Sequence, residues 1–107
     1  MVMEIYKATK YFPKEELYGL TPQLRRVAVS VVTNIVEGAS RRHKKDYLHF
    51  LYMSRGSIEE TKYLLHLANR LGYLNNKWFK KLSTLREEAA KTLFGLIGSV
   101  GKEIKDV

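Results

Sequence analysis

Four cations within five positions, Arg41, Arg42, Lys44 and Lys45, are the side chains best suited to a chemical task, and that task is holding phosphate. Arg25 and Arg26 form a second basic group, and Lys77, Lys80 and Lys81 a third. Arg25, Lys80 and Lys81 join the four-cation knot as candidate nucleic-acid contacts. Tyr18, Tyr47 and Tyr73 fall near these groups and could stack on bases, or serve as ordinary amphipathic packing residues.

Bond-making chemistry is poorly served. A di-iron bundle needs Glu-x-x-His on two helices with two further carboxylates; no Glu-x-x-His occurs, and Asp46-x-x-His49 is a single, weaker imitation. His43 and His66 read as surface or boundary histidines. Cysteine is absent, which removes thiolate nucleophiles, disulfides and cysteine metal sites. No serine lies in a nucleophile elbow, and there is no glycine-rich phosphate loop. The expectation is a protein that is not an enzyme and needs neither metal nor cofactor.

A second constellation is polar without being reactive. Gln23, Arg26, Ser30, Asn34 and Glu37 recur every three or four residues, beside an apolar arc of about 180° on the same helical wheel. Ser57 and Glu60, next to Gly56, answer them further along. A solvated face explains charges but not serine, asparagine and glycine at matching places. The reading favoured is a partly buried structural network, with Arg26 paired to Glu60 or Glu37 and Asn34 bonded across helices.

These residues must be positioned by helices. Both prolines, Pro13 and Pro22, lie in the first quarter of the chain, so the rest is free to be helical. The first helix runs from Val2 to about Tyr11 and stops before Phe12-Pro13. Thr21-Pro22 reads as N-cap and first turn of a second helix, whose apolar positions run from Leu24 to Val36 and which Gly38 and Ser40 weaken near its end. A third helix spans Lys44 to Leu71 and ends on a left-handed Gly72. Gly56 within it predicts another helix passing close to the backbone. Asn75 or Asn76 caps a fourth helix over Lys77 to Lys105. The fold class is all-α: an antiparallel up-down four-helix bundle, a single domain over residues 1–107.

The bulk numbers fit that class. Hydrophobic residues at 45% against 28% charged give a globular balance, and no apolar run is long enough to span a bilayer. With no signal peptide, a cytoplasmic protein without membrane attachment is expected. A net charge of +8 favours a polyanionic partner, nucleic acid first.

The segments Phe-Pro-Lys-Glu-Glu (12–16), Leu-Tyr-Gly-Leu-Thr (17–21), Gln-Leu-Arg-Arg (23–26), Asn-Ile-Val-Glu-Gly (34–38), Phe-Leu-Tyr (50–52), Arg-Gly-Ser (55–57) and Leu-Gly-Tyr-Leu (71–74) together carry a resemblance. In order and separation they resemble the four-helix-bundle proteins encoded in intervening sequences of bacterial 23S rRNA genes. The last helix matches only in character. The resemblance implies a four-helix protomer in a ring-like homo-oligomer, a pentamer, with no catalytic residues. More distantly the chain resembles the accessory bundle proteins of diversity-generating retroelements, which work with nucleic acid. The family's first helix is usually longer, so the chain looks clipped at its start. Val31 and Val32 replace an isoleucine–proline pair often found there, so a straighter second helix is expected.

The sequence therefore points to a basic, oligomeric, non-enzymatic protein that binds RNA or DNA. The alternative is a protein-interaction scaffold whose charge aids solubility or meets an acidic protein partner.

Overall fold

Glycine and asparagine set the boundary between the last two helices, as their backbone chemistry requires. The computed structural model describes residues 1–105, and among them the ordered elements are helical. Helix α1 spans Val2–Thr9, α2 Leu20–Ala39, α3 Lys44–Arg70 and α4 Asn76–Lys105, with a single 3-10 turn at Lys14–Glu16. The chain forms an up-down bundle 51 × 24 × 18 Å, in which α3 packs between α2 and α4, and α1 lies on α2 and α4.

The end of α3 is a Schellman motif. Gly72 takes φ 82°. Its N–H donates to the Asn69 carbonyl at 3.0 Å, and the Tyr73 N–H donates to the Ala68 carbonyl at 3.0 Å. Asn75 then caps α4, its side-chain oxygen accepting the Trp78 N–H at 2.8 Å.

The start of α2 differs from the Thr21 cap expected. The helix begins two residues earlier than proline alone suggests, with Gly19 outside it and Thr21 buried in its first turn. The Glu16 carboxylate provides the cap, accepting the Leu20 N–H at 3.0 Å. Its other oxygen accepts the Tyr73 hydroxyl at 3.0 Å. Pro22 still falls in the first turn, where a missing N–H leaves no bond broken.

The glycines exchange the roles expected of them. A Cβ on Gly56 would meet nothing within 4 Å, so no helix passes close there. A Cβ on Gly38 would lie 2.7 Å from Phe50 Cβ and 2.9 Å from the Tyr47 ring. The close approach of α2 to α3 is therefore at Gly38, beside the turn that joins them.

The core is divided along the rod. One cluster, with Ile5, Ala8, Leu24, Ala28, Leu65 and Leu82, draws on all four helices. The other, Val31, Leu51, Ile58, Leu93 and Val100, draws on α2, α3 and α4. The difference arises because α1 has eight residues where its neighbours have twenty or more. Past the start of α1, a groove of about 660 Å³ opens between Val31, Val32 and Ile35 of α2 and Leu93 and Leu96 of α4.

Candidate functional site

The basic knot occupies one tip of the rod, where α2 turns into α3 beside the last turns of α4. Arg41, Arg42, Lys44 and Lys45 are all exposed, but their charges are committed to different degrees. Arg41 donates to Glu37 at 2.6 Å and lies over the Phe50 ring at 4.7 Å. Lys44 Nζ is 3.1 Å from Glu103 Oε2, reaching across to α4. Arg42 and Lys45 make no ion pair with a carboxylate among the described residues. Together with His43, Glu103 and Ile104, the cations Arg42, Lys44 and Lys45 line a cleft of about 650 Å³.

The other candidate contacts sit toward the opposite tip. Arg25 is committed to the fold: its Nε donates to Thr9 Oγ1 at 2.8 Å, its Nη2 to the Tyr6 carbonyl at 3.2 Å, and its guanidinium lies 4.6 Å above the Tyr6 ring. That set of contacts ties α1 to α2 and leaves little of Arg25 for a ligand. Lys81 pairs with Glu4 at 3.0 Å and sits 5.1 Å from the Trp78 ring centre. The two lysines Lys7 and Lys81 hold the Glu4 carboxyl below its ordinary pKa, Lys81 contributing most. Lys80 is exposed without an ion pair among the described residues. Of the tyrosines, Tyr73 is spent on Glu16 and on Phe12, 5.8 Å away between ring centres. The bond to Glu16 pushes the Tyr73 hydroxyl above its ordinary pKa, because ionising it would set two negative charges side by side. Tyr18 is 93% exposed.

The polar constellation exists, built from smaller groups than expected. The Ser30 and Ser57 hydroxyls are 2.6 Å apart and share a hydrogen bond between α2 and α3. Ser54, absent from the sequence-based set, is fully buried and donates across the same interface to the Val31 carbonyl at 2.7 Å. Thr61, equally buried, bonds back to the Ser57 carbonyl at 2.8 Å. Asn34 donates to the Ser30 carbonyl at 2.8 Å, within its own helix and not across helices. Gln23, Arg26, Glu37 and Glu60 are exposed. Glu37 pairs with Arg41, and Arg26 has no carboxylate partner among the described residues. The arginine that does enter the interior is Arg86, 6% exposed, with Nη2 2.6 Å from Glu87 Oε2. Its sequence signal is an interruption: Leu82, Arg86, Ala89 and Leu93 share one helical face.

Among the described residues, no three His, Asp or Glu side chains come together as a metal site, and no helix is long and apolar enough to cross a membrane. The site can hold anions and present hydrogen-bond donors.

The comparisons with known proteins bear on fold and family. No curated protein is significantly similar to the chain. A crystal structure of a protein of unknown function from the S23 ribosomal protein family of Bacteroides thetaiotaomicron superposes with a TM-score of 0.78 at 22% identity, covering 90% of this chain and 87% of that one. That likeness shows the fold. The family model described as 23S rRNA-intervening sequence protein matches residues 1–95, and the chain belongs to that family.

Proposed function

We propose that the protein is a non-enzymatic, oligomeric nucleic-acid-binding protein that engages RNA or DNA through the basic tip. The observation that carries this reading is the gathering of Arg41, Arg42, Lys44 and Lys45 around one turn, with Arg42 and Lys45 free of ion pairs among the described residues and a cleft between them. A chain at +8 gains affinity for a polyanion by releasing counterions, whatever the sequence bound. A ring of copies multiplies contacts that are individually weak.

The test is a titration of the protein with RNA, duplex DNA and an acidic polypeptide across salt concentrations. Replacing Arg41, Arg42, Lys44 and Lys45 by glutamine should weaken all nucleic-acid sequences about equally. It should also flatten the slope of log affinity against log salt by about 0.7 to 0.9 per lost contact. Because Arg41 and Lys44 share their charge with Glu37 and Glu103, most of that change belongs to Arg42 and Lys45. Equal and negligible binding by both proteins would leave the scaffold reading. Exposed apolar side chains at Met3, Val32, Val36 and Phe94 favour that second reading, since they offer contact surface without charge.

A further inference from the structure

The cleft at the basic tip has a shape that a backbone-tracking surface does not need. A protein that follows a polynucleotide presents cations as a stripe, so that successive phosphates each meet one. Here Arg42, Lys44 and Lys45 converge on a single concavity of about 650 Å³, within the range of pockets that hold one small ligand. The cleft lies at the narrow tip of a 51 Å rod, between the α2–α3 turn and the last turns of α4. One wall is a carboxylate, Glu103, and the apolar Ile104 adjoins it.

Resting on the reading above, we propose that this cleft takes the phosphate monoester at the end of a nucleic-acid strand. A diester inside a strand offers two free oxygens and one negative charge. A terminal monoester offers three oxygens and about −1.5 to −2 charge at neutral pH, which suits three converging cations. Two of those cations, Arg42 and Lys45, are free of carboxylates among the described residues. The third, Lys44, is held at 3.1 Å by Glu103, so an arriving phosphate competes with that carboxylate for it. Glu103 thereby disfavours weakly charged groups: a dianion displaces it more readily than a monoanion does. The Ile104 side chain and the rest of the volume leave room for the terminal sugar or base. The first turn of α3, whose N-cap residue His43 makes no side-chain cap bond, adds field of the right sign, but the three side chains carry the recognition.

The experiment compares one short single-stranded RNA in three forms, with a 5′-phosphate, a 3′-phosphate, or hydroxyls at both ends. Adenosine 5′-monophosphate serves as a free competitor. One phosphorylated form is expected to bind about tenfold tighter than the hydroxyl form. The two phosphorylated arms tell which end is read. Arg42→Gln and Lys45→Gln should abolish that preference while leaving the helical circular dichroism unchanged. Glu103→Gln should increase affinity for the phosphorylated form, a gain that a folding defect cannot mimic. Equal, salt-dependent binding of all three RNAs would overturn the terminal-phosphate inference and leave the nucleic-acid reading standing. Binding of the free monophosphate, sensitive to Arg42 and Lys45, without binding of any RNA would support the cleft and overturn the nucleic-acid reading. Binding of none would overturn both.

Discussion

At the scale of single residues, two arginines decide how far charge can be read from sequence. Arg26 recurs in register with Ser30, Asn34 and Glu37, and that register suggests a buried pair; the side chain is nevertheless exposed. Substituting it by alanine should change stability by no more than about 0.5 kcal/mol. Arg86 interrupts an apolar face and is buried, with its charge partner among the described residues, Glu87, largely in solvent. Arg86→Ala should therefore cost about 2–4 kcal/mol, through lost packing as well as the lost bond. Arg86→Met keeps the aliphatic volume and should cost distinctly less in urea denaturation. Equal losses for the two variants would show that the guanidinium, and not the packed stem, matters. Tyr73 carries a pH signature. Its hydroxyl pKa is raised from 10.0 by the bond to Glu16, so its contribution is complete below pH 10 and is lost as pH rises through the folded value. The stability difference between wild type and Tyr73→Phe should shrink on the alkaline side of pH 10. A difference independent of pH would mean that the bond to Glu16 does not form in solution.

Among the elements, boundaries set by backbone chemistry were legible, and contacts made across the chain were not. The break before Pro13, the left-handed Gly72 and the Asn75 cap follow from local rules and occur where those rules place them. The α2 cap escaped because Glu16 reaches it from a separate 3-10 turn, and Thr21 satisfied the local pattern equally well. Gly56 and Gly38 look alike in sequence, since a glycine records that a Cβ is absent and not what fills its place. Ser54 was passed over for the same reason: its partner is a carbonyl on another helix, and no side-chain pattern announces a carbonyl. The two glycines give a paired test. Gly56→Ala should stabilise by about 0.5–1 kcal/mol, as alanine is the better helix former and meets open space. Gly38→Ala should destabilise by about 1–2 kcal/mol, because the overlap with Phe50 and Tyr47 outweighs the same helical gain. Thermal unfolding of both variants settles the matter, and shifts of the same sign would contradict the packing described at the α2–α3 turn.

For the whole molecule, the fold and family were readable while the committed charges were not. Among the candidate contacts at the two tips, Arg25, Arg41, Lys44 and Lys81 are each held by a neighbour that only the folded chain supplies. Assembly is the question that belongs to this scale. Val32 and Val36 are 48% and 64% exposed on the same stretch of α2, more apolar surface than an isolated helix face gains from leaving in water. Static light scattering should give a multiple of 12.4 kDa at micromolar concentration, and Val36→Glu should lower it without loss of helix content. A stable wild-type monomer under those conditions would exclude the ring.

The short first helix also sets how the native state opens. Four helices hold one half of the rod and three hold the other, so a partial unfolding that spares the first half exposes less apolar surface than global unfolding does. Amide hydrogen exchange should grade along the long axis of α3. Amides near Leu64 and Leu65 should exchange only through global unfolding, while those near Leu51 exchange sooner, through opening of the three-helix half. The basic tip stands on that more labile half, so a polyanion bound there should slow the exchange of Leu51 and its neighbours by the factor its affinity supplies. Protection spread evenly over α3, with or without the polyanion, would show that the two halves of the rod open as one.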